Sequence, residues 1–365
     1  MHPVLIDFGV FTVGLFTLLA GAELLVRGAS RLALSIGLSP LVVGLTVVAF
    51  GTSAPEFAVS AGAVLGGRND IAVGNVVGSN IFNLLVILGF SAVMAPLVVR
   101  SQVIRQEVPI MIGGSVLLLV MSLDGAIARL DAAVLLVLLI AYTSMLILQA
   151  RRSSLAQKQQ AIEAPPRSDS GLMSRLPVQL GLIAIGLALL VLGADWLVES
   201  ASRFARNLGV SDLVIGLTIV AAGTSMPELA TSAVAALRGE RDIAVGNAIG
   251  SCTFNTLGCL GLAGLLSAEG LSIPPAVLHF DLWVMLAAGF ACVPVMLSGR
   301  RIARWEGVLF LAYYAAYSGY LILAAGQHDA LPAFSQAMLT FALPLTVVTL
   351  VVLMLQRPQL AKADR

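Results

Sequence analysis

GLTVVAFGTSAPEFAVSA, residues 44–61, returns 172 positions later as GLTIVAAGTSMPELATSA, residues 216–233. A second pair, DIAVGNVVGSNIFN at 70–83 and DIAVGNAIGSCTFN at 242–255, keeps the same offset, so Gly37 to Gly89 maps onto Gly209 to Gly261 without a gap. About three fifths of the paired positions are identical, which is an internal duplication and not a coincidence of apolar composition. The match thins toward the ends but still sets Glu23 against Asp195.

The duplicated stretch lies in a chain of 365 residues that is 58% hydrophobic and 11% charged, with a mean hydropathy of +0.97. So few charges cannot cover a soluble core of this size, and the chain is expected to live mostly in lipid. A formal net charge of +1 gives no reason to expect a nucleic-acid partner.

Apolar runs long enough to cross a hydrocarbon core of ~30 Å as helices recur about eleven times. They run Val4 to Leu32, Pro40 to Leu65, Ile71 to Val99, Val108 to Leu123, Ala132 to Gln149, Val178 to Phe204, Leu213 to Leu237, Ile243 to Ser267, Val277 to Leu297, Glu306 to Ala325 and Pro332 to Leu355. Each copy of the repeat opens a block of about five spans, an odd number, so the second copy enters the membrane from the opposite side. The expected fold is an all-α polytopic membrane protein of about ten to eleven transmembrane helices in two inverted five-helix repeats. Residues 1–150 form the first repeat and 178–326 the second. Between them 151–177, polar and carrying Pro165-Pro166, reads as a flexible linker, and 327–365 hold an extra helix and tail.

Placing the Arg-rich linker in the cytoplasm and alternating outward puts about 17 of the 21 Lys+Arg inside, the asymmetry of the positive-inside rule. The N-terminus is then outside, with linker and C-terminus cytoplasmic. The first apolar segment lacks a preceding basic region and runs straight into Glu23 and Arg27, so it reads as a retained helix. Cys252, Cys259 and Cys292 fall inside predicted spans without CxxC spacing and read as small buried residues.

Chemistry concentrates in GTSAPE (51–56) and GTSMPE (223–228), each in the middle third of a span. A carboxylate at that depth costs at least ~2.5 kcal/mol on insertion scales, so Glu56 and Glu228 must face a partner, water or a cation. Pro55 and Pro227 each withhold an N–H from the carbonyl four residues earlier, freeing Gly51 and Gly223 oxygens, and Thr52 and Thr224 sit one turn before the acids. Asn75, Ser79 and Asn83 step by four along one helix face, as do Asn247, Ser251 and Asn255. Oxygen-only donors with two carboxylates favour a hard cation, and calcium best accepts many oxygens at irregular geometry. Asn75, Asn247, Ser79 and Ser251 read equally well as interhelical glue. Asp70 and Asp242, just before their spans, read as helix N-caps. Glu23 and Asp195 either line an ion path or pair with Arg27, Arg31 or Arg203; His279, beside Asp281, reads as interfacial.

These paired motifs resemble the cation/calcium exchanger superfamily, whose hallmark is two inverted repeats carrying G-[ST]-[ST]-x-P-E and G-N-x-x-G-[ST]-N. The resemblance is nearest to the compact prokaryotic sodium/calcium exchangers, which have ten helices. It implies a secondary active antiporter exchanging Ca2+ for Na+ by alternating access in a prokaryotic inner membrane, with no enzyme activity and no cofactor. By resemblance Glu56, Glu228 and the carbonyls of Thr52 and Thr224 bind calcium. Ala49, Ser53, Ser79, Ala221, Ser225 and Ser251 form flanking sodium sites, and Asn83 and Asn255 line the middle. The helices ahead of the motifs, Val4 to Leu32 and Val178 to Phe204, slide to switch access.

Asn255 stands where some relatives carry the Asp associated with potassium dependence, Cys252 replaces the match of Asn80, and the eleventh span exceeds the ten-helix pattern, suiting an accessory or self-association helix. The rival readings are an H+/Ca2+ antiporter, a potassium-dependent Na+/Ca2+ exchanger and, from another class, a cation channel. HExxH is absent, which argues against an intramembrane metalloprotease.

Overall fold

The structure is a computed structural model that describes residues 3–160, 175–207, 221–349 and 351. Among the described residues nine helices are long and apolar enough to cross a membrane, or ten when the bent pair Pro40–Thr52 and Ala54–Leu65 counts as one span. The others are Asp7–Ile36, Asn69–Met94, Val103–Met121, Arg129–Ala150, Leu176–Asn207, Arg241–Leu266, Val277–Leu297, Arg304–Ala325 and Leu331–Thr349. Of the expected span Leu213 to Leu237, residues 213–220 lie outside the described residues, as do 161–174 of the linker and 352–365 of the tail; residues 151–160, expected as flexible linker, instead continue the helix Arg129–Gln160. The span's second half is the helix Met226–Leu237.

Inversion of the repeats can be read from two short antiparallel ribbons. Leu97–Val98 pairs with Arg301–Ile302, and Ala126–Ile127 pairs with Leu271–Ser272. The crossing helix Val103–Met121 separates residues 97–98 from 126–127, so the ribbons cap opposite ends of the molecule. Leu97–Val98 follows Asn69–Met94, and Leu271–Ser272 follows its repeat partner Arg241–Leu266. Equivalent strands of the two copies therefore lie on opposite faces, as an odd number of spans per copy requires.

Asn69–Met94 and Arg241–Leu266 are the most buried spans, while Arg304–Ala325 and Leu331–Thr349 are almost wholly on the outside. Phe8 and Phe16 on Asp7–Ile36, Trp283 and Phe290 on Val277–Leu297, and Phe341 on Leu331–Thr349 are exposed, as lipid-facing side chains are.

Asp7–Ile36 and Leu176–Asn207 form an antiparallel pair in near backbone contact. A Cβ on Gly21 would lie 2.7 Å from Leu190 N and 2.8 Å from Gly186 O, and one on Gly14 would lie 3.1 Å from Gly193 O. Gly14 and Gly21 are the repeat partners of Gly186 and Gly193, so each glycine meets the other's counterpart across the pseudo-two-fold axis. Without a hydrophobic drive between helices in lipid, close approach of this kind is what holds such a pair.

Two expectations for flanking charges need correction. Asp70 and Asp242 are not N-caps: Arg68 and Glu240 occupy those positions without a side-chain capping bond, and the two aspartates sit one step inside the first turn. There they still oppose the positive helix end, and Asp242 pairs with Arg100 at 2.6 Å. Glu23 pairs with Arg27 at 2.5 Å and with Arg238. Asp281 accepts a bond from Tyr317 at 2.9 Å, and His279 is exposed.

Candidate functional site

Both GTSxPE segments are helix breaks. Pro40–Thr52 ends at Ser53 (φ −77, ψ 1), and a new helix, Ala54–Leu65, starts 41° off the first. In the second copy Ala221–Gly223 ends before Ser225 (φ −91, ψ 8), and Met226–Leu237 follows. Pro55 and Pro227 therefore stand in the first turn of a new helix, not in a helix interior. A missing N–H is harmless there to the new helix, whose first N–H groups have no partner within it. Glu56 and Glu228 share that first turn, where the positive end of the helix dipole favours a negative side chain.

The two copies hold each other's acids. Ser225 donates to Glu56 Oε1 at 2.9 Å and Ser53 donates to Glu228 Oε1 at 3.1 Å, each hydroxyl reaching across the repeat boundary. Ser79 adds a bond to Glu56 Oε1 at 3.3 Å from within its own copy. Glu56, Glu228, Ser53 and Ser225 have no solvent exposure.

A brace of asparagines surrounds this crossing. Asn247 Nδ2 donates to the Glu228 carbonyl at 3.2 Å and to Ser232 Oγ at 2.9 Å, while its Oδ1 accepts from Thr52 Oγ1 at 3.0 Å. Asn75 repeats the pattern with Glu56 O (3.4 Å), Ser60 Oγ (3.1 Å) and Thr224 Oγ1 (3.5 Å). Asn75 and Asn247 thus position the acid-bearing turns and bind the two copies together. Ser60 and Ser232 were not singled out in the sequence, although a signal existed: they are repeat-matched and stand one helical turn after each acid.

What the site leaves unpaired is as informative. Glu56 Oε2, Glu228 Oε2, both amide atoms of Asn83, Asn255 Nδ2 and Ser251 Oγ are buried without a hydrogen-bond partner among the described residues. Native interiors seldom tolerate such atoms. The contrast is Glu107, equally buried, whose Oε1 accepts from Gln102 at 3.0 Å and Gln106 at 3.1 Å and whose Oε2 accepts from Tyr142 at 2.8 Å. That carboxylate is saturated and reads as structural; Glu56 and Glu228 each keep an oxygen in hand.

Asn83 opens the wide π-turn Asn83–Ile87, and Asn255 lies in its counterpart Phe254–Cys259. Such turns frequently mark functional positions. Asn255 Oδ1 accepts a weak bond from Cys259 Sγ at 3.6 Å. Ala49 is buried, and its carbonyl accepts from Ser53 N at 3.0 Å and Thr52 Oγ1 at 3.4 Å; Ala221 opens the short helix before the second break. Gly246 and Gly250 lie against the first broken helix, where a Cβ would sit 3.0 Å from Leu41 O and 2.9 Å from Leu45 O. The equivalent partners of Gly74 and Gly78 lie outside the described residues.

Comparison with known proteins agrees with this architecture. The chain is 38% identical over 326 residues to CaxA of Alkalimonas amylolytica, covering 86% of this chain and 97% of that one. It is 33% identical to the sodium/calcium exchanger MaX1 of Methanosarcina acetivorans, with 86% and 97% covered. A solved structure of the sodium-calcium exchanger NCX_Mj superposes with a TM-score of 0.72 at 31% identity, covering 88% of this chain and 98% of that one. The sequence model of the family described as sodium/calcium exchanger protein matches residues 6–148 and 178–323, one match per repeat block, and the chain belongs to that family.

Proposed function

We propose that this chain is a secondary antiporter that exchanges Ca2+ for Na+ by alternating access, through the oxygen cluster at the crossing of the two broken helices. The observation that carries this reading is the pair of fully buried carboxylates, each held at one oxygen by a hydroxyl of the opposite copy and free at the other. Two carboxylates neutralise one Ca2+, and neutral Ser and Asn oxygens complete the irregular shell that calcium accepts.

Glu56 and Glu228, with the carbonyls of Thr52 and Thr224, hold calcium in this reading. Ser53, Ser225, Ser79, Ser251, Ala49 and Ala221 contribute to sodium binding, and Asn83 and Asn255 line the centre. Calcium and sodium occupy this one oxygen cluster in turn, so their occupancy is mutually exclusive. The empty site, doubly anionic and out of water, resists closure. Charge asymmetry of the loops supports a cytoplasmic linker and an external N-terminus in a prokaryotic inner membrane.

The test is calcium uptake into proteoliposomes under outward gradients of sodium, potassium or protons. Uptake driven by sodium alone is expected. Uptake that follows protons and ignores sodium assigns the coupling to H+, and uptake without any gradient assigns the protein to the channels.

Ser225→Ala removes the shortest hydroxyl bond to Glu56. A bond to a charged acceptor is worth about 1.5–3 kcal/mol, so the calcium concentration for half-maximal uptake should rise about tenfold. Ser79→Ala, which removes the longer bond at 3.3 Å, should cost less. Equal, negligible effects would show that the hydroxyls do not hold the acid in place.

A further inference from the structure

The repeats are equivalent in sequence, but the two faces of the molecule are not. On one face the first helix is tied to the end of the second motif helix. Arg238, just past Met226–Leu237, donates to both carboxylate oxygens of Glu23 through Nε and a terminal nitrogen. One turn along, Arg27 pairs with the same carboxylate at 2.5 Å, and Ser30 donates to Glu240 at 2.6 Å. Around these contacts lies a cleft of ≈ 330 Å³ lined by Val26, Arg27, Ser30, Arg31, Arg238 and Glu240.

At the repeat-matched positions Glu23 becomes Asp195 and Ser30 becomes Ser202, but Arg238 becomes Gly66 and Glu240 becomes Arg68. The opposite face thus keeps the acid on the sliding helix but has no base at the position of Arg238; its base is Arg68, two residues further on, which makes no ion pair with Asp195 among the described residues. Asp195 is exposed and makes no ion pair among the described residues. Arg203 is engaged within the helix pair itself, with Asp7 and Glu199 both at 2.8 Å. Packing follows the same asymmetry: Asp7–Ile36 lies along Met226–Leu237, whereas Leu176–Asn207 barely touches Ala54–Leu65.

We propose that the Glu23–Arg238 ion pair, with Ser30–Glu240 beside it, is a one-sided latch that biases the protein toward the conformation closed on the Arg238 face and accessible from the Asp195 face. The proposal rests on the alternating-access reading. In a symmetric duplication the two access states would have matched contacts. An ion pair between the sliding helix and the motif helix on only one face breaks that degeneracy, and a differential contact of this kind is what shifts a two-state equilibrium.

Hydrogen–deuterium exchange on the full chain, in buffer free of sodium and calcium, tests this independently of transport. Arg238→Gln should raise amide exchange in residues 23–36 and 226–238 by about threefold, the scale of one partly exposed ion pair. It should also lower exchange in 54–66 and 195–207, because the opposite face closes as this one opens. Glu23→Gln should do the same, and the double variant no more than Arg238→Gln alone. Gly66→Arg, at a position with φ outside the left-handed region and no neighbour under 3.3 Å from its Cβ, puts a base at the position that matches Arg238 and should shift both faces the other way. Raised exchange confined to the Arg238 face is local fraying and overturns the latch, as does a double variant whose effect is the sum of the singles. If the variants show the reciprocal pattern but the parent shows no sodium-driven calcium uptake, the latch stands and the antiport reading falls.

Discussion

Glu56→Gln or Glu228→Gln is expected to reduce sodium-driven calcium uptake to background, while leaving a protein that folds and melts no lower than the parent. Neither acid takes part in any of the ion pairs of the described residues, all of which lie elsewhere. Both carboxylates are nonetheless without solvent exposure. With no ion bound, the folded protein carries their desolvation and mutual repulsion uncompensated, so removing one charge should not destabilise it. With calcium bound, the removed charge is a direct ligand. Losing one member of a buried charge contact costs about 2–5 kcal/mol, which at 1.4 kcal/mol per decade is at least about 30-fold in affinity. The two consequences separate a site defect from misfolding. Added calcium should raise the parent's melting temperature, because a ligand that binds only the folded state stabilises it, and should leave both variants unmoved. Uptake surviving in both variants would remove the acids from the site.

Much of this site was legible because a duplication reports twice. GTSAPE alone is a short polar interruption; its recurrence as GTSMPE, inverted, implies that two acids meet near the middle of the membrane. Legibility stopped where the answer depended on which copy touches which. Nothing in the order of residues says that Ser53 serves Glu228 and Ser225 serves Glu56, since that crossing exists only once the helices pack. Pro55 illustrates a different limit. Its effect on the Gly51 carbonyl follows from covalent geometry, but whether the chain kinks or restarts a helix is decided by the surroundings, and here it restarts at Ala54. The caps expected at Asp70 and Asp242 failed by two residues, within the usual uncertainty of a helix end. The π-turns at Asn83 and Asn255 have no propensity signature at all.

Gly186→Val is expected to separate Asp7–Ile36 from Leu176–Asn207 and so to collapse both stability and transport. A Cβ there would lie 2.7 Å from Leu25 N and 2.9 Å from Gly21 O. Both are backbone atoms, so no rotamer change can make room and a whole helix must move. Overpacking in a soluble core costs about 1–3 kcal/mol. Here the loss should reach the upper end or beyond, because helices in lipid rely on close packing in place of the hydrophobic effect. Gly21→Val should match it, since Gly21 meets Leu190 N and Gly186 O in the same way. Gly9→Val and Gly181→Val are the controls: they lie on the same two helices, and nothing stands within 4 Å of a Cβ at either position. Thermal unfolding in detergent should show the first two variants melting well below the parent and the controls close to it. Similar melting in all four would mean that the helix pair is held by something other than its glycine contacts. The result also bears on mechanism, because helices locked backbone to backbone at Gly14, Gly21 and Gly28, the last against Gln179 O and Ile183 N at 3.1 Å, can only move past the broken spans as one body, carrying the access switch for both repeats at once.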